Sequence, residues 1–271
     1  MAAENIIEDR RDRAAEVLSL QGFMSLTDLS HVLRVSESTV RRDLEILERQ
    51  GLVKRTYGGA VYVKDAGARK LAFADRETTA LAEKAAIARA VAGLIPENQT
   101  VILNGGTTCC QVARELTGRR LSVVTNSVPI ASLLSAALET EVTLVGGYVY
   151  PRTGVALGSM AVQQLDCIHA TQLVMSCAGV TEQGAFNANQ MMVDVERKMM
   201  EIAEEVILLA DHTKFGMRSV AWLCGLEEVN VIVTDARAAA SDRQWLGSLA
   251  ARVIYAEPAG FGARIESRGT P

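Results

Sequence analysis

Two adjacent arginines, Arg41 and Arg42, occur in the stretch SESTVRRDLEILERQGLVKRTYGGAVY, which covers residues 36–62. A guanidinium group can donate two hydrogen bonds to O6 and N7 of guanine, and nearby hydroxyl groups can donate to phosphate oxygens. The same arginine pair on an amphipathic helix is often only a solvated face. This stretch therefore has two interpretations, contact with nucleic acid or a solvated helix face. The secondary-structure elements around it distinguish between them.

The spacing of apolar residues predicts two short helices before this stretch. The first covers residues 9–20 and ends near Gly22. Ser25, followed three residues later by Asp28, is typical of the start of a second helix. A third helix is predicted from Ser36, which can cap it, to Gly51, with three residues turned inward: Val40, Leu44 and Leu47.

A hairpin follows in LVKRTYGGAVY, and helices with such a hairpin predict a winged helix-turn-helix domain over residues 1–63. Between residues 31 and 64, seven basic side chains outnumber four acidic ones, although the whole chain carries a net charge of −4. The coincidence of turn, cap, arginine pair and basic hairpin favours double-stranded operator DNA as the partner. The predicted DNA-binding residues are Ser36, Ser38, Thr39, Arg41, Arg42, Lys54, Arg55, Gly58 and Gly59.

Each of these residues has an expected part in DNA binding. Arg42 is expected to contact a base edge, whereas Lys54 and Arg55 are expected to lie against phosphates. Gly58 and Gly59 are expected to adopt the positive backbone angles of a tight wing.

An α/β domain with a mainly parallel sheet is predicted for residues 80–257, after a linker at 64–79 and before a flexible tail at 258–271. Short β-branched runs alternate there with helical stretches, among them residues 84–95 and 111–116. The predicted strands are residues 100–103, 121–125, 142–147, 172–176, 205–210 and 229–235.

Small and polar residues follow these strands, at the edge of a parallel sheet where ligands usually bind. The NGGTT sequence is typical of a backbone turn at a helix start that holds an anion, although a plain strand-to-helix connection is an alternative. The predicted effector-binding residues are Asn104, Gly105, Gly106, Thr107, Thr108, Asn126, Ser127, Gly146, Gly147, Arg152, Cys177, Ala178, Gly179, Asp211 and Lys214. Arg152 is equally well explained as a surface loop residue.

The sequence SESTVRRDLEILERQGLVKRTYGGA resembles the DNA-binding signature of the DeoR family of bacterial transcriptional regulators. NGGTT, VTNS, VGG, DHTKFG and the EKAAIARAVAGLIP helix resemble, in order, the sugar-phosphate-sensing domain of that family. The resemblance implies a ribose-5-phosphate isomerase-like fold, a phosphorylated sugar as effector, and a regulator that most often acts as a repressor. Because one recognition helix spans only a few base pairs, a homo-oligomer, a dimer or tetramer, is expected.

Comparison with this family pattern is informative at two positions. Members commonly carry aspartate where this chain has Asn104, so the chemistry of effector binding is expected to differ there. The resemblance also implies an intramolecular role for Asp43, orienting an arginine or capping, because a carboxylate facing phosphate would be repelled.

Other functions have weaker support. An isomerase would need a group that moves a proton between sugar carbons, for which Asp211, Glu196 and Lys214 are candidates. A DNA-binding protein without effector leaves the loops after the strands unexplained. Cys109 and Cys110 are expected to be buried, with oxidant sensing as the alternative. Glu196 and Arg197 belong to a helix whose methionines are expected to pack, and both are candidates for the pocket mouth.

No cofactor is expected, because GxxxxGK[ST] and a complete dinucleotide motif are both missing. No metal site is expected either, because three histidines and five cysteines lack ligand spacing. The apolar runs are too short to span a membrane and no signal pattern begins the chain, so a cytoplasmic location is expected.

Overall fold

The computed structural model describes residues 2–21, 23–49, 52–56, 58–62, 79–257 and 264–265. These residues form two compact units, within residues 1–76 and 77–271. The expected linker lies outside the described residues except for Thr79, and so does the expected tail except for residues 264–265. The positions Gly22 and Gly51, expected to end helices, also lie outside.

Within its described residues, the amino-terminal unit contains three helices and a three-stranded antiparallel sheet, as a winged helix-turn-helix requires. The helices are α1 (Ala2–Gln21), α2 (Leu26–Leu33) and α3 (Glu37–Arg49), and the strands are β1 (Phe23–Ser25), β2 (Val53–Thr56) and β3 (Gly59–Tyr62). The predicted hairpin is confirmed by pairing of β2 with β3, whereas β1, which pairs with the other edge of β3, was not predicted.

Short polar side chains begin α2 and α3 as their sequences predict. Ser25 Oγ accepts from the backbone N–H of Asp28 at 3.1 Å and donates to its carboxylate at 2.6 Å, a reciprocal cap. Ser36 Oγ accepts from the backbone N–H of Thr39 at 3.3 Å. Between the two helices Arg34 has a φ of 54°, which ends α2 and makes the turn.

The apolar faces of these helices meet in one core beneath the sheet. Val40, Leu44 and Leu47 of α3 are buried against Leu18 of α1 and Leu29 of α2. All three predicted inward positions of α3 are therefore confirmed, and the opposite face of the helix is left to solvent.

The carboxy-terminal unit is built on an eight-stranded sheet. Its strands are β4 (Thr100–Leu103), β5 (Leu121–Thr125), β6 (Thr140–Leu144), β9 (Ala170–Ser176), β12 (Ala203–Leu209), β14 (Val231–Asp235), β15 (Arg252–Ala256) and β16 (Arg264–Ile265). They lie in the order β16-β15-β14-β12-β9-β4-β5-β6. Every pair is parallel except β15 with β16. The predicted parallel α/β domain is therefore confirmed, with all six predicted strands at or near their expected bounds.

Helices cover the sheet and connect its strands. They are α4 (Leu81–Ala92), α5 (Thr107–Leu116), α6 (Val128–Leu134), α7 (Ser159–Leu165), α8 (Gln190–Glu201) and α9 (Ala240–Leu246). Central strands such as β4 and β9 are buried because helices pack on the sheet.

Two smaller strand groups were not predicted. The first is the hairpin of β7 (Tyr148–Tyr150) and β8 (Val155–Leu157), and the second is an antiparallel sheet of β10 (Gly179–Thr181), β11 (Gly184–Asn187) and β13 (Ala221–Cys224). Their strands have three or four residues, too few to show a period of two.

Candidate nucleic-acid interface and effector site

The solvent face of α3 presents the arginine pair. Arg41 and Arg42 are exposed, and neither forms an ion pair within the part of the chain that the structure describes. Three hydroxyl groups cluster at the start of the helix, where Ser36 Oγ lies 2.8 Å from Ser38 Oγ and 2.9 Å from Thr39 Oγ1. Guanidinium groups and hydroxyls thus share one end of an accessible helix, which suits base and phosphate contacts.

Asp43 lies on the same helix but is buried, with 2% of its surface exposed. Arg10 donates to it from Nε at 2.6 Å and from Nη2 at 3.0 Å, and Arg11 donates from Nε at 3.1 Å. Its hydrogen bond to Asp43 raises the pKa of Arg10. The expected intramolecular role of Asp43 is confirmed: it joins α1 to α3 and keeps a carboxylate away from the exposed arginines.

The wing residues divide into two groups. Lys54 is exposed. Arg55 is instead held by Glu48 Oε2 at 2.8 Å and Glu45 Oε1 at 2.9 Å, and its backbone N–H donates to Glu48 Oε1 at 2.9 Å. Arg55 therefore holds the wing against α3 in this structure. Its contact with a DNA phosphate remains a prediction, and it would require the guanidinium to leave one or both glutamates.

The expectation of positive backbone angles at Gly58 and Gly59 is wrong, since neither residue has a positive φ. Gly59 is required for a different reason: a Cβ there would overlap the backbone carbonyl of Met24 in β1. The carbonyl of Gly58 accepts from the backbone N–H of Leu26 at 2.9 Å. Close strand packing, absent from the sequence-based interpretation because β1 was missed, explains the glycine.

In the second unit, the predicted effector residues lie at one edge of the large sheet. The strands β12, β9, β4, β5 and β6 are neighbours in that order, and parallel pairing puts their carboxyl ends together. Their following loops contain, in the same order, residues 211–214, 177–179, 104–108, 126–127 and 145–147. The sheet therefore brings together loops that are far apart in sequence.

The turn at residues 104–108 starts α5 without a side-chain cap. Gly106 has a φ of 143°, and a Cβ there would overlap Ser176 Oγ, while one at Gly105 would overlap the Val155 side chain. Thr107 and Thr108 form the buried first turn. The backbone N–H groups of an uncapped first turn are a suitable site for a phosphate.

Positive charge reaches this edge from two lysines. Burial acts to raise the pKa of Asp211, but the charges of Lys214 and Lys84 and a hydrogen bond from Thr213 outweigh it and hold that pKa below its usual value. Asp211 accepts from the backbone N–H of Thr213 at 3.0 Å and also from the Thr213 hydroxyl. Lys214 acts on Cys177 as well, so its charge also reaches the loop after β9.

Lys84 was missed as a site residue. It lies on α4 with 4% of its surface exposed, and its Nζ donates to the Thr79 carbonyl at 2.6 Å. The available signal was a lysine within the largely apolar helix sequence EKAAIARAVAGLI, where a buried position requires a partner.

Several predicted effector residues form hydrogen bonds within the domain. Ser127 is fully buried and caps α6, accepting from the backbone N–H of Ile130 at 3.4 Å. Asn126 Nδ2 donates to the Ala156 carbonyl at 3.0 Å, whereas its buried Oδ1 has no hydrogen-bond partner among the described residues. Effector contact by these two residues remains a prediction. It has more support for Asn126 than for Ser127, because the Asn126 oxygen is unpaired among the described residues.

The remaining loop residues set backbone positions. The backbone N–H of Gly146 donates to Gln164 Oε1 at 3.0 Å, and Gly147 has a φ of 147°. A Cβ at Gly179 would overlap the Met217 carbonyl, so the loop with Cys177 and Ala178 lies against the loop that follows β12. Arg152 is half-buried in the turn between β7 and β8.

Asn104 is paired with a buried acid. Its Nδ2 donates to Glu196 Oε1 at 2.9 Å, and Asn187 Nδ2 donates to the same oxygen at 2.6 Å. Burial raises the pKa of Glu196 to about 8, with the two amide bonds acting in the opposite direction. Glu196 is therefore beneath the turn rather than at a pocket mouth, and Arg197 instead lies over the Trp222 ring at 4.7 Å.

Cys109 and Cys110 are buried at the start of α5. Burial raises the pKa of Cys109 to about 12, which disfavours the thiolate that oxidant sensing requires. Within the described ranges, no three His, Cys, Asp or Glu side chains converge as a metal site would need, and no helix is long and apolar enough to cross a membrane.

Comparison with known proteins agrees with this two-part architecture. A DeoR-like helix-turn-helix domain matches residues 10–66, and a DeoR C-terminal sensor domain matches residues 79–236. The transcriptional repressor AccR of Agrobacterium fabrum is 35% identical over 234 residues, which are 85% of this chain and 90% of AccR. The lactose phosphotransferase system repressor of Lactococcus lactis is 28% identical over 229 residues, 83% of this chain and 90% of that protein.

Among solved structures, ribose 5-phosphate isomerase A from Neisseria gonorrhoeae is similar, with a TM-score of 0.37, 14% identity and coverage of 50% of this chain and 53% of that one. So distant a likeness carries no functional argument. The two matching family domains span most of the chain, and this protein belongs to the DeoR family of DNA-binding transcriptional regulators.

Proposed function

We propose that this protein regulates a carbohydrate-use operon as a repressor, and that a phosphorylated sugar bound at residues 104–108 sets its affinity for operator DNA. The observation that carries the proposal is the uncapped start of α5 at the same sheet edge as Asp211, the carboxylate on which the charges of Lys84 and Lys214 act. Helix amides and two ammonium groups match a phosphate monoester in charge and hydrogen bonding.

The neighbouring loops supply hydroxyl-binding chemistry that a sugar needs. Asn126 Oδ1 has no hydrogen-bond partner in the described part of the chain, and Thr107 and Thr108 carry hydroxyls at the helix start. The name of one relative, the lactose phosphotransferase system repressor, supports sugar control by analogy. A dimer or tetramer acting in the cytoplasm is part of the proposal, because one recognition helix reads only a few base pairs.

An isomerase is the alternative, and the described contacts argue against it. A proton-transferring base must be able to reach the sugar, whereas Asp211 is bonded to Thr213, and Glu196 Oε1 accepts from two amides. The proposal therefore assigns the loops to binding without turnover.

The test uses the full chain and a panel of five- and six-carbon sugar phosphates, with inorganic phosphate as control. A duplex selected from a random pool provides the operator, and fluorescence anisotropy follows its release as each sugar phosphate is added. We expect one compound to raise the unfolding temperature and shift operator affinity without conversion to an isomer. Turnover above background would favour the enzyme, and no response to any compound would reject sugar phosphate as effector.

A further inference from the structure

The turn between α2 and α3 holds an arginine in a backbone conformation that arginine rarely adopts. Arg34 has a φ of 54° and a ψ of 42°, in the left-handed region, where glycine or asparagine is the usual residue after a helix. In the described chain, Ala80 and Asn98 are the other residues besides glycine with a positive φ. A long side chain in this conformation costs free energy relative to glycine, and residues held at such a cost often serve function.

Backbone groups, and not the side chain of Arg34, make the turn. The backbone N–H of Arg34 donates to the His31 carbonyl at 3.3 Å, and that of Val35 donates to the Ser30 carbonyl at 3.1 Å. Both bonds are available to any residue that accepts the left-handed conformation. The turn therefore gives no reason for an arginine at this position.

The side chain of Arg34 lies beside the end of α3 that carries the hydroxyl cluster. Val35 packs against the core of the amino-terminal unit, whereas Arg34 and Ser36, on either side of it, are exposed. Residues two positions apart have Cα atoms at most about 7 Å apart. In a helix-turn-helix the first helix crosses the DNA backbone and the amino end of the second enters the major groove. The turn that joins them therefore lies at the phosphate edge of that groove.

The charge of Arg34 is not neutralised by a neighbour. Its guanidinium forms no hydrogen bond or ion pair within the part of the chain that the structure describes. Glu37, the nearest acid along the chain, instead accepts from Thr27 Oγ1 at 2.8 Å. One structural role is open to the charge, because a cation stabilises the carboxyl end of a helix such as α2. That role predicts an effect on stability and none on DNA.

We propose that Arg34 contacts a DNA phosphate at the edge of the groove that α3 enters, and that this contact explains an arginine in the turn. The contact adds to those expected of Arg41, Arg42 and the wing, and it does not depend on which effector the protein binds. A phosphate carries no sequence information, so the contact raises the affinity for every duplex and leaves base preference unchanged.

Three variants separate a phosphate contact from a structural role. Arg34→Gly removes the side chain and suits the left-handed backbone. Arg34→Lys keeps a positive charge that can still meet a phosphate. Arg49→Ala is the control, because it removes an exposed arginine from the opposite end of α3. That end is about 20 Å from the start of the helix, beyond the range of unscreened charge at about 0.1 M salt.

Fluorescence anisotropy measures the affinity of each full-length variant over a range of salt concentrations. The probes are an operator duplex selected from a random pool and a scrambled duplex of the same base composition. Calorimetry gives the unfolding temperature of each variant without DNA. The slope of log affinity against log salt concentration then counts phosphate contacts, and the unfolding temperature reports any structural role.

We expect Arg34→Gly to lower that slope by about 0.9 for each amino-terminal unit bound. For each such unit, the ratio of wild-type to variant affinity should grow about eightfold with every tenfold dilution of salt, equally on both duplexes. The unfolding temperature of Arg34→Gly should be unchanged or higher, because glycine fits the turn. Arg34→Lys and Arg49→Ala should keep the wild-type slope.

A slope for Arg34→Gly equal to that of the wild type would overturn the inference and leave Arg34 only a role at the end of α2. An equal loss of slope in Arg49→Ala would also overturn it, because positive charge anywhere on the unit would then suffice. Weaker binding confined to the operator would mean a base contact instead of a phosphate contact. If selection yields no duplex that the wild type binds, the proposed function fails, and the inference fails with it.

Discussion

Asp43 in the recognition helix accepts two hydrogen bonds from Arg10 in the first helix, at 2.6 and 3.0 Å. Because Asp43 is buried and the arginine is only partly exposed, this pair fixes the position of α3 relative to α1. The arginines that face outward from α3 depend on that position. A buried side chain that faces away from solvent is therefore expected to affect DNA binding.

Asp43→Ala should weaken operator binding and loosen α3, because it leaves Arg10 and Arg11 without their shared partner. Loss of a hydrogen bond to a charged group costs about 1.5–3 kcal/mol. Hydrogen exchange in the full chain should show faster exchange of α3 amides in this variant. Glu45→Ala, which removes a half-exposed carboxylate from the same helix, should change α3 exchange far less.

Arg42→Ala should cost about 1–3 kcal/mol on the true operator and blur its base preference, because a bidentate base contact is lost. Lys54→Ala should instead weaken binding to every duplex similarly, since a phosphate carries no sequence information. Titrations on operator and scrambled duplexes measure both effects. An Arg42→Ala protein with unchanged preference for the operator would remove the proposed base contact.

Arg55 offers a sharper test of the wing, because Glu45 and Glu48 already hold its guanidinium. Each phosphate contact contributes about 0.9 to the slope of log affinity against log salt concentration. Lys54→Ala should lower that slope by about one unit, whereas Arg55→Ala should lower it less if the brace persists on DNA. Equal reductions would mean that Arg55 leaves the glutamates and contacts a phosphate.

The helix and strand pattern was predictable from sequence where elements are long and periodic. Val40, Leu44 and Leu47 recur at helical spacing, and the β-branched runs of the large sheet are flanked by glycine and polar turns. The strands β10, β11 and β13 were not predictable, because runs of three or four residues are too short to show a period.

The candidate site was predictable only in part, for a different reason. Loops after parallel strands meet at one edge, so residues 104–108 and 211–214 could be placed together from sequence. The bond between Asn104 and Glu196 joins residues 92 positions apart. Nothing local in either segment indicates that pairing, and the burial that alters the acid depends on packing of the whole domain.

The stability of the folded chain should depend on pH through Glu196. Its pKa is about 8 in the fold and its ordinary value is 4.5, so the folded state binds more protons between these values. The stabilisation is fully present below about pH 4.5 and is lost as pH rises through about 8. Glu196→Gln should flatten the fall of the unfolding temperature over that window, measured by calorimetry.

Two other groups bear on this measurement. His212, whose pKa is raised by Asp235 against the effect of burial, also loses its contribution as pH rises, so a shallower fall should remain in the variant. Asp211 acts in the opposite sense, because its lowered pKa stabilises the fold above the ordinary carboxyl value and not below it. An unfolding temperature with the same pH profile in wild type and Glu196→Gln would show that Glu196 is charged in the fold.

Lys214→Ala should weaken binding of the sugar phosphate by removing a charge-assisted interaction, worth roughly 1.5–3 kcal/mol. DNA affinity without effector should barely change, because Lys214 belongs to the other compact unit from the recognition helix. A ligand shifts an equilibrium only through its different affinity for two states. A variant that binds the effector poorly should therefore keep the operator affinity of the effector-free protein when effector is added.

Titrating the identified sugar phosphate into operator complexes of wild type, Lys214→Ala and Thr107→Ala measures this coupling. Both variants should need a higher concentration for the same response, since Thr107 lies in the first turn of α5. Lys198→Ala is the control, because that lysine pairs with Asp166 and Glu201 instead of facing the loops. An equal response in wild type and Lys214→Ala would mean that the effector binds elsewhere, and that the loops at this edge only connect strands to helices.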